Sequence, residues 1–382
     1  MPEFAQYQVW LCDWTGSKLA LLHASGVHES DFLSIAWHHK LNDATVYRAE
    51  FVAETDTKDL FRVDYGILVE RDYGSGYYEE FYGFHHNPEE LMTGQFDEHY
   101  WASTGMSPEW LIDQPVLTPV PSASQQWRDY GIWWMFGPAD DVMKAMVSES
   151  MGGGAALERQ FSNFSVEGNR GEGTYGCYEG RYDRLLTAVK TLAGETWQTD
   201  FRVVRVSDGF EFRTYCPYYG TDRRKGYAAN PTIFSLEFEN VLEPFVGVSR
   251  TQEVTYLYGG WEGGGGEQDI VEAENSDAIA ESPYRRREDY VDVSDTASID
   301  SVPDILEQYL VDLGAITTVT FKPVQTEWCL YGRDWALGDL VTLVLWGNEY
   351  DMRITEVAGA IDGQNEEVIE GKAELWTRSE TV

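Results

Sequence analysis

Two histidine pairs, His38-His39 and His85-His86, are the first places to look for a metal. Neighbouring side chains on a strand point to opposite faces, so neither pair can chelate with both rings. A site would need one ring from each of two strands, and no cysteine pair or His-x-x-x-His spacing accompanies them. Strand-end or surface histidines are the expectation. Carboxylates are abundant, and a glycosidase needs just two of them about 5 to 9 Å apart, so abundance alone carries no information. The most suggestive group is Glu79-Glu80 with Glu89-Glu90, set among Tyr77, Tyr78, Phe81 and Tyr82 as for a sugar-stacking surface. Edge-strand charges above a packed aromatic face account for the same residues and are preferred. No Gly-x-Ser-x-Gly elbow occurs, and the glycine runs Gly152 to Gly154 and Gly263 to Gly266 lack the Gly-Lys-Ser/Thr ending of a phosphate loop. Hence no catalytic, cofactor-binding or metal-binding residue is assigned, and a non-enzymatic protein without a cofactor is expected.

Charge narrows the partners. The 382 residues carry 65 Asp plus Glu against 28 Lys plus Arg, a formal net charge of −37. Such a chain repels phosphate backbones, which argues against stable nucleic-acid binding. Of the basic residues just 8 are Lys and 20 are Arg. A Lys-poor, carboxylate-rich surface stays soluble when concentrated salt screens its self-repulsion, so a salt-adapted, halophilic host is one reading and an acidic mesophilic protein the other. No apolar run approaches the roughly 20 residues of a membrane span, and the opening Met1-Pro2-Glu3-Phe4 has no signal-peptide pattern, so no membrane anchor is expected. Cys12, Cys177, Cys216 and Cys329 are scattered; reduced thiols are expected, with a Cys177–Cys216 bridge as the alternative. The 14 Trp, 23 Tyr and 17 Phe exceed what a core needs. Trp133-Trp134 and Tyr218-Tyr219 cannot both face inward from a strand, so some aromatic rings meet solvent, another chain or a glycan.

The elements that would position these residues are mainly strands. Asp31 to Trp37, Thr45 to Val52, Leu60 to Val69 and Tyr77 to His85 alternate in the manner of half-buried strands, separated by turn signals, as in an antiparallel meander. Gly94 to Gln126 holds four prolines and reads as a connector. Pro138 to Ser150 and Tyr182 to Ala193 have helical spacing, and strands resume at Thr199 to Val206, Phe210 to Tyr215, Thr232 to Glu239 and Glu253 to Tyr258. Gly259-Gly260-Trp261-Glu262 and the glycines after it read as a loop. Ser301 as cap, Pro303, Asp304 at capping-box spacing and Ile305, Leu306, Leu310 and Leu313 signal a further helix ended by Gly314. Strands at Thr317 to Lys322, Leu340 to Trp346, Tyr350 to Val357 and Glu367 to Leu375 follow. The expected fold class is mainly β with a few short helices. Its parts are an N-terminal antiparallel β-barrel domain (1–110), a middle α+β domain (111–245) and a C-terminal β domain with one capped helix (246–382).

Several short segments, in order, resemble the baseplate hub family of siphovirus tail tips. They are Lys40-Leu41-Asn42-Asp43, Tyr82-Gly83-Phe84, Tyr215-Cys216-Pro217-Tyr218-Tyr219-Gly220-Thr221-Asp222-Arg223, and Phe234 to Val241. Tyr284 to Glu288, Tyr290-Val291-Asp292, Gly332 to Thr342 and Met352 to Val357 continue the series. Each is short and turn-like; their order over roughly residues 30 to 375 carries the resemblance. Pro88 to Gln126 has no matching motif, and the charge is more acidic than the family requires.

The resemblance implies tail-tube-like β-barrel domains in a structural virion protein at the tail tip, a homo-oligomeric ring of three subunits. Its implied neighbours are a distal tail protein ring, the tape-measure protein, and fibres or a spike, with roles in host attachment and genome delivery. Asp222, Arg223 and Arg224 are candidates for pairing within a loop or across a subunit boundary, and Arg285, Arg286 and Arg287 are a second contact candidate, with Trp133 and Trp134 as aromatic anchors. The alternative function is a glycan-binding or glycan-cleaving tail adhesin.

Overall fold

The computed structural model describes residues 5–26, 31–53, 56–93, 98–119, 131–194, 196–262, 268–294 and 299–376. The N-terminal strands are β1 (Gln6–Cys12), β2 (Lys18–Ala24), β3 (Phe32–Lys40), β4 (Val46–Val52), β5 (Gly66–Asp72), β6 (Tyr78–Thr93) and β7 (Glu98–Met106). The middle of the chain forms β8 (Trp133–Pro138), α1 (Ala139–Met151), β9 (Phe164–Val166), β10 (Tyr175–Gly180), α2 (Leu185–Thr191), β11 (Asp200–Val206), β12 (Gly209–Tyr215) and β13 (Ile233–Ser235). Then come β14 (Val241–Ser249), β15 (Tyr256–Glu262), β16 (Gln268–Glu274), α3 (Ser276–Ala280), β17 (Glu288–Asp292), α4 (Val302–Asp312) and β18 (Ile316–Pro323). The chain finishes with β19 (Leu340–Leu345), β20 (Asn348–Asp362) and β21 (Glu367–Leu375). The mainly β architecture with short helices is therefore present, in several antiparallel sheets.

Two compact units result: residues 1–243 with 321–382, and residues 244–320. The three-part division expected from the sequence follows the chain, whereas the contacts follow space. In the first unit, β20 pairs with β3, setting Ala360 beside Ala36 and Val357 beside His39. That pairing joins N- and C-terminal strands into one sheet running β21-β20-β3-β4-β7-β6-β5-β1-β2. Alternation makes these strands two-faced: in β4, Tyr47, Ala49 and Phe51 are buried while Val46, Arg48, Glu50 and Val52 are less so. By contrast, five of the six residues of β19 are buried, as expected for an apolar run packed on both faces.

The helices of the middle region close one side of this sheet. Val142, Met143, Met146, Val147 and Met151 on α1 recur at three- and four-residue spacing and are all buried. They share a core with Leu185 and Val189 of α2, Phe201 and Phe212 of β11 and β12, and Cys12, Leu68 and Phe84 of the N-terminal sheet. Lys144 faces that interior too, held by Asp140 at 2.6 Å and Glu167 at 3.0 Å. A buried cation is tolerated there because two carboxylates and the Gly168 carbonyl satisfy it.

In the second unit, β16, β15 and β17 form a three-stranded sheet in that order. Leu306 and Leu310 of α4 pack on Leu257 and Val293. Gly259-Gly260, expected in a loop, lie within β15. A Cβ at Gly259 would stand 2.8 Å from Leu306 Cδ1, so the glycine serves the close approach of helix to strand. Ser301 occupies the N-cap of α4 without a side-chain capping bond, and Pro303 sits in the first turn as expected.

Other differences have local causes. β1 and β2 precede the first expected strand, and β7 runs through the supposed connector, paired on both sides by β4 and β6. Its Trp101, Ala102 and Ser103 are all buried, so the strand shows no in-out alternation that a sequence pattern would reveal. β6 pairs with β5 over Tyr78–Phe84 and with β7 over Phe84–Thr93, so Glu79-Glu80 have a strand on one side only, as expected of an edge, although Glu80 itself is buried. The expected strand over Thr232 to Glu239 shrinks to β13 because Leu236 to Glu239 turn, with Glu239 at φ 54°. Residues 94–97 and 120–126 of the connector and Gly263 to Gly266 lie outside the described residues. All four cysteines are free, so Cys177 and Cys216 are not bridged. No helix among the described residues is long and apolar enough to cross a membrane.

Candidate functional site

Asp200, the first residue of β11, is 1% exposed and gathers three distant segments. Asn42 Nδ2, in the turn after β3, donates to Asp200 Oδ1 at 2.7 Å, while the Phe201 amide donates to Asn42 Oδ1 at 2.9 Å. The Tyr219 amide donates to Asp200 Oδ2 at 2.7 Å. Arg353 Nη2 from β20 donates to the same oxygen, and to the Tyr219 carbonyl at 3.2 Å. Charge pairing plus several hydrogen bonds offsets the cost of burying both ions, and the short Asn and Asp side chains suit a turn locked onto a strand end.

The 215–224 loop then docks on the turn before β19. Leu340 N donates to the Thr221 carbonyl at 3.0 Å and Arg223 N to the Leu340 carbonyl at 2.8 Å. Asp339 accepts from the Thr221 amide at 2.7 Å, the Ala336 amide at 2.9 Å and Arg223 Nε at 2.7 Å. Burial pushes the Asp339 carboxyl above its usual range although these donors pull it down. Asp339 is therefore an anchor between the loop and the turn into β19. Gly220 and Gly338 meet so closely that a Cβ at Gly220 would lie 2.2 Å from the Gly338 carbonyl carbon.

Of the contact candidates, Asp222 and Arg224 pair within the loop. Arg224 Nη2 reaches Asp222 Oδ2 at 2.7 Å, Nη1 reaches Asp351 at 2.7 Å, and the guanidinium lies 4.0 Å from the Tyr227 ring centre. In the second unit, Arg285 joins buried Glu253 and exposed Glu281, Arg286 joins Glu288 at 2.6 Å and covers Tyr256, and Arg287 lies 3.5 Å from Glu253. Each of these arginines has a carboxylate of its own chain. Trp133 is fully buried, its Nε1 donating to Glu149 at 2.7 Å, whereas Trp134 is exposed. Burial removes Trp133 from the surface and leaves Trp134 as the outward member of that pair, by strand alternation.

A second network involves Glu80, expected in a surface cluster but buried. Tyr331 OH donates to Glu80 Oε1 at 3.0 Å, and His39 Nε2 bonds the Glu80 carbonyl at 2.8 Å. Arg71, with no exposed surface, lies 3.9 Å from Glu80 and donates to Glu367 and Tyr73. Burial raises the Glu80 carboxyl, but His39, Arg71 and Tyr331 together outweigh it and hold the group below its usual range. Glu79 points the other way and pairs with Arg205 at 2.8 Å. Both residues line one cavity of about 440 Å³, but there Glu80 is a buried, ion-paired anchor and Glu79 is neutralised by Arg205. The other two, Glu89 and Glu90, pair with Arg48 and Lys58. Of the histidine pairs, His39 and His85 point inward and His38 and His86 are less buried, as strand geometry requires.

What these sites do chemically is join sequence-distant strands. Four of the segments that carry the tail-tip resemblance, 40–43, 215–223, 332–342 and 352–357, meet at these joints. A family model described as Siphovirus ReqiPepy6 Gp37-like protein matches residues 24–370. The chain belongs to this family. The expected membership of a siphovirus tail-protein family is thereby met.

Solved structures show the same fold around the Gp37-like chain. It is similar to the prophage MuSo2 43 kDa tail protein from Shewanella oneidensis, at TM-score 0.53 and 11% identity over 98% of each chain. It is also similar to the tail protein from Neisseria meningitidis MC58, at TM-score 0.52 and 10% identity over 97% of this chain and 96% of that one. No curated protein sequence matches it. The Gp37-like chain is a phage tail-type structural protein. Asp200, Arg71 and Glu367 have no spacing signature, since each is a lone charge whose partner is distant in sequence, and within Met352 to Val357 nothing local marks Arg353 as the partner of Asp200; the Asn-Asp and Gly-Asp turns are the locally visible halves of these contacts.

Proposed function

We propose that this Gp37-like chain is the baseplate hub at the tail tip of a tailed virus particle, a non-enzymatic ring component joining the tail tube to fibres or a spike. The supporting observation is that four of the segments resembling the hub family, 40–43, 215–223, 332–342 and 352–357, converge on Asp200 and Asp339, so these motifs are joints within the first unit. A ring of three copies, contacting a distal tail protein ring and the tape-measure protein, would use heterologous interfaces between identical chains. Trp134 and the exposed parts of the arginine clusters are its proposed subunit contacts. The net charge of −37 suits a lumen through which DNA slides without sticking during genome delivery. The ion pairing of Glu79, Glu80, Glu89 and Glu90 favours a structural over a glycan-cleaving role. Electron microscopy of the particle with an antibody against this chain tests the reading. A ring at the distal end of the tail is expected; label on the capsid, or along the whole tail, would refute it.

A further inference from the structure

A groove of about 640 Å³ opens in the first unit between the turn after β18 and the segment around β13. Trp328 and Phe238 stand at it, 86% and 58% exposed. Trp328 projects from a two-residue turn closed by mutual Thr326 and Cys329 backbone bonds at 3.1 Å, and among the described residues no ring packs on it. A rigid turn holding an indole in water gives up burial that Trp normally seeks. Beneath the rings the wall is polar. Arg223 commits its Nε to Asp339, leaving both terminal amino groups without a partner among the described residues, and the Asp334 carboxylate is held by Arg333 and the Leu330 amide at 2.8 Å. A third aromatic belongs to the same end of the fold. β13 and β19 run parallel with Ser235 beside Val344, so Phe238 and Trp346 leave the same end of the pair. Trp346, 68% exposed, sits at φ 50° in a two-residue hairpin turn where Asn or Gly is favoured. A bulky residue in that strained conformation marks function more readily than folding.

We propose that this groove binds a neutral oligosaccharide. Sugar rings offer apolar CH faces to indoles, and vicinal hydroxyls suit a guanidinium fork and a fixed carboxylate. A chain of net charge −37 repels long anionic polymers, and in the groove Asp334 offsets Arg333, which favours a neutral ligand over a polyanion. The proposal goes beyond the hub reading and does not depend on it, because glycan binding is read on the purified chain and ring position on the particle.

The test is calorimetric and fluorescence titration of the full chain with cello-, malto-, laminari- and chito-hexaose, with alginate as the anionic probe. Binding of at least one neutral hexaose at millimolar concentration is expected, weakened about tenfold or more by Trp328→Ala and by Arg223→Lys. The remote exposed indole provides the control, Trp14→Ala changing affinity less than about twofold. Circular dichroism and melting of each variant separate lost binding from lost folding. Binding of alginate alone, no binding of any neutral hexaose, or neutral binding indifferent to Trp328→Ala in a folded variant would overturn the proposal.

Discussion

Asp200 and Arg353 form an ion pair across 153 residues of chain, and both side chains are almost wholly withdrawn from water. The carboxylate also ends the turn holding Asn42 and the loop holding Tyr219, so one side chain ties β3, β11, the 215–224 loop and β20.

Removing one partner of such a pair strands the other. Asp200→Ala is expected to destabilise the chain by about 3 to 5 kcal/mol in urea unfolding. The double variant Asp200→Ala/Arg353→Met should lose clearly less than the sum of the single losses, because no unpaired ion remains. Strict additivity in this double-mutant cycle would show that the two residues act separately.

Gly220 is needed for two reasons, its φ of +108° and the 2.2 Å gap to Gly338 that a Cβ would face. Gly74, at φ +97°, has open space around it. Gly220→Ala should therefore cost about 2 to 3 kcal/mol and Gly74→Ala nearer 1 kcal/mol, the difference being the clash. Equal melting temperatures for the two variants would remove the docking of the two turns as the cause.

His85 is 3% exposed, packed by Phe61 and Trp101, with Nδ1 2.7 Å from Ser103 Oγ. Burial, with a smaller effect from His86, lowers its pKa to about 4. The unfolded chain therefore binds this proton first, near pH 6.5, and the folded chain only near pH 4. Stability from His85 is complete above pH 6.5 and is lost as pH falls toward 4, about 3 kcal/mol in all. A His85→Gln variant should show a flatter decline of unfolding free energy over that window; an unchanged slope would acquit the histidine.

Net charge predicts the salt response. Raising sodium chloride from about 0.01 to 1 M shortens the screening length from about 30 to 3 Å. The melting temperature should rise over this range if self-repulsion of the −37 surface limits stability, as a salt-adapted protein requires. A flat melting series would favour the mesophilic reading.

Local patterns revealed elements well where one strand or helix face decides burial. α1 was legible because Val142, Met146 and Val147 repeat at helical spacing, and β21 matches its expected span because Ile369 and Ala373 alternate with charged neighbours. β16 stayed hidden because its sequence, Gln-Asp-Ile-Val-Glu-Ala-Glu, belongs to an exposed strand with little apolar signal, stabilised by pairing with β15. β15 was misread because Gly259 looks like a breaker until the helix above it is known.

The sequence by itself determined an acidic, strand-rich chain and, through the order of its turn motifs, its family, since turns depend on a few adjacent residues whose backbone needs are local. Tertiary structure alone decided that β20 pairs with β3, that Asp200 answers Arg353, and that Arg71 and Glu80 lie buried together. A buried charge is tolerable only when its partner arrives from elsewhere in the chain, and no local pattern announces which distant residue that will be.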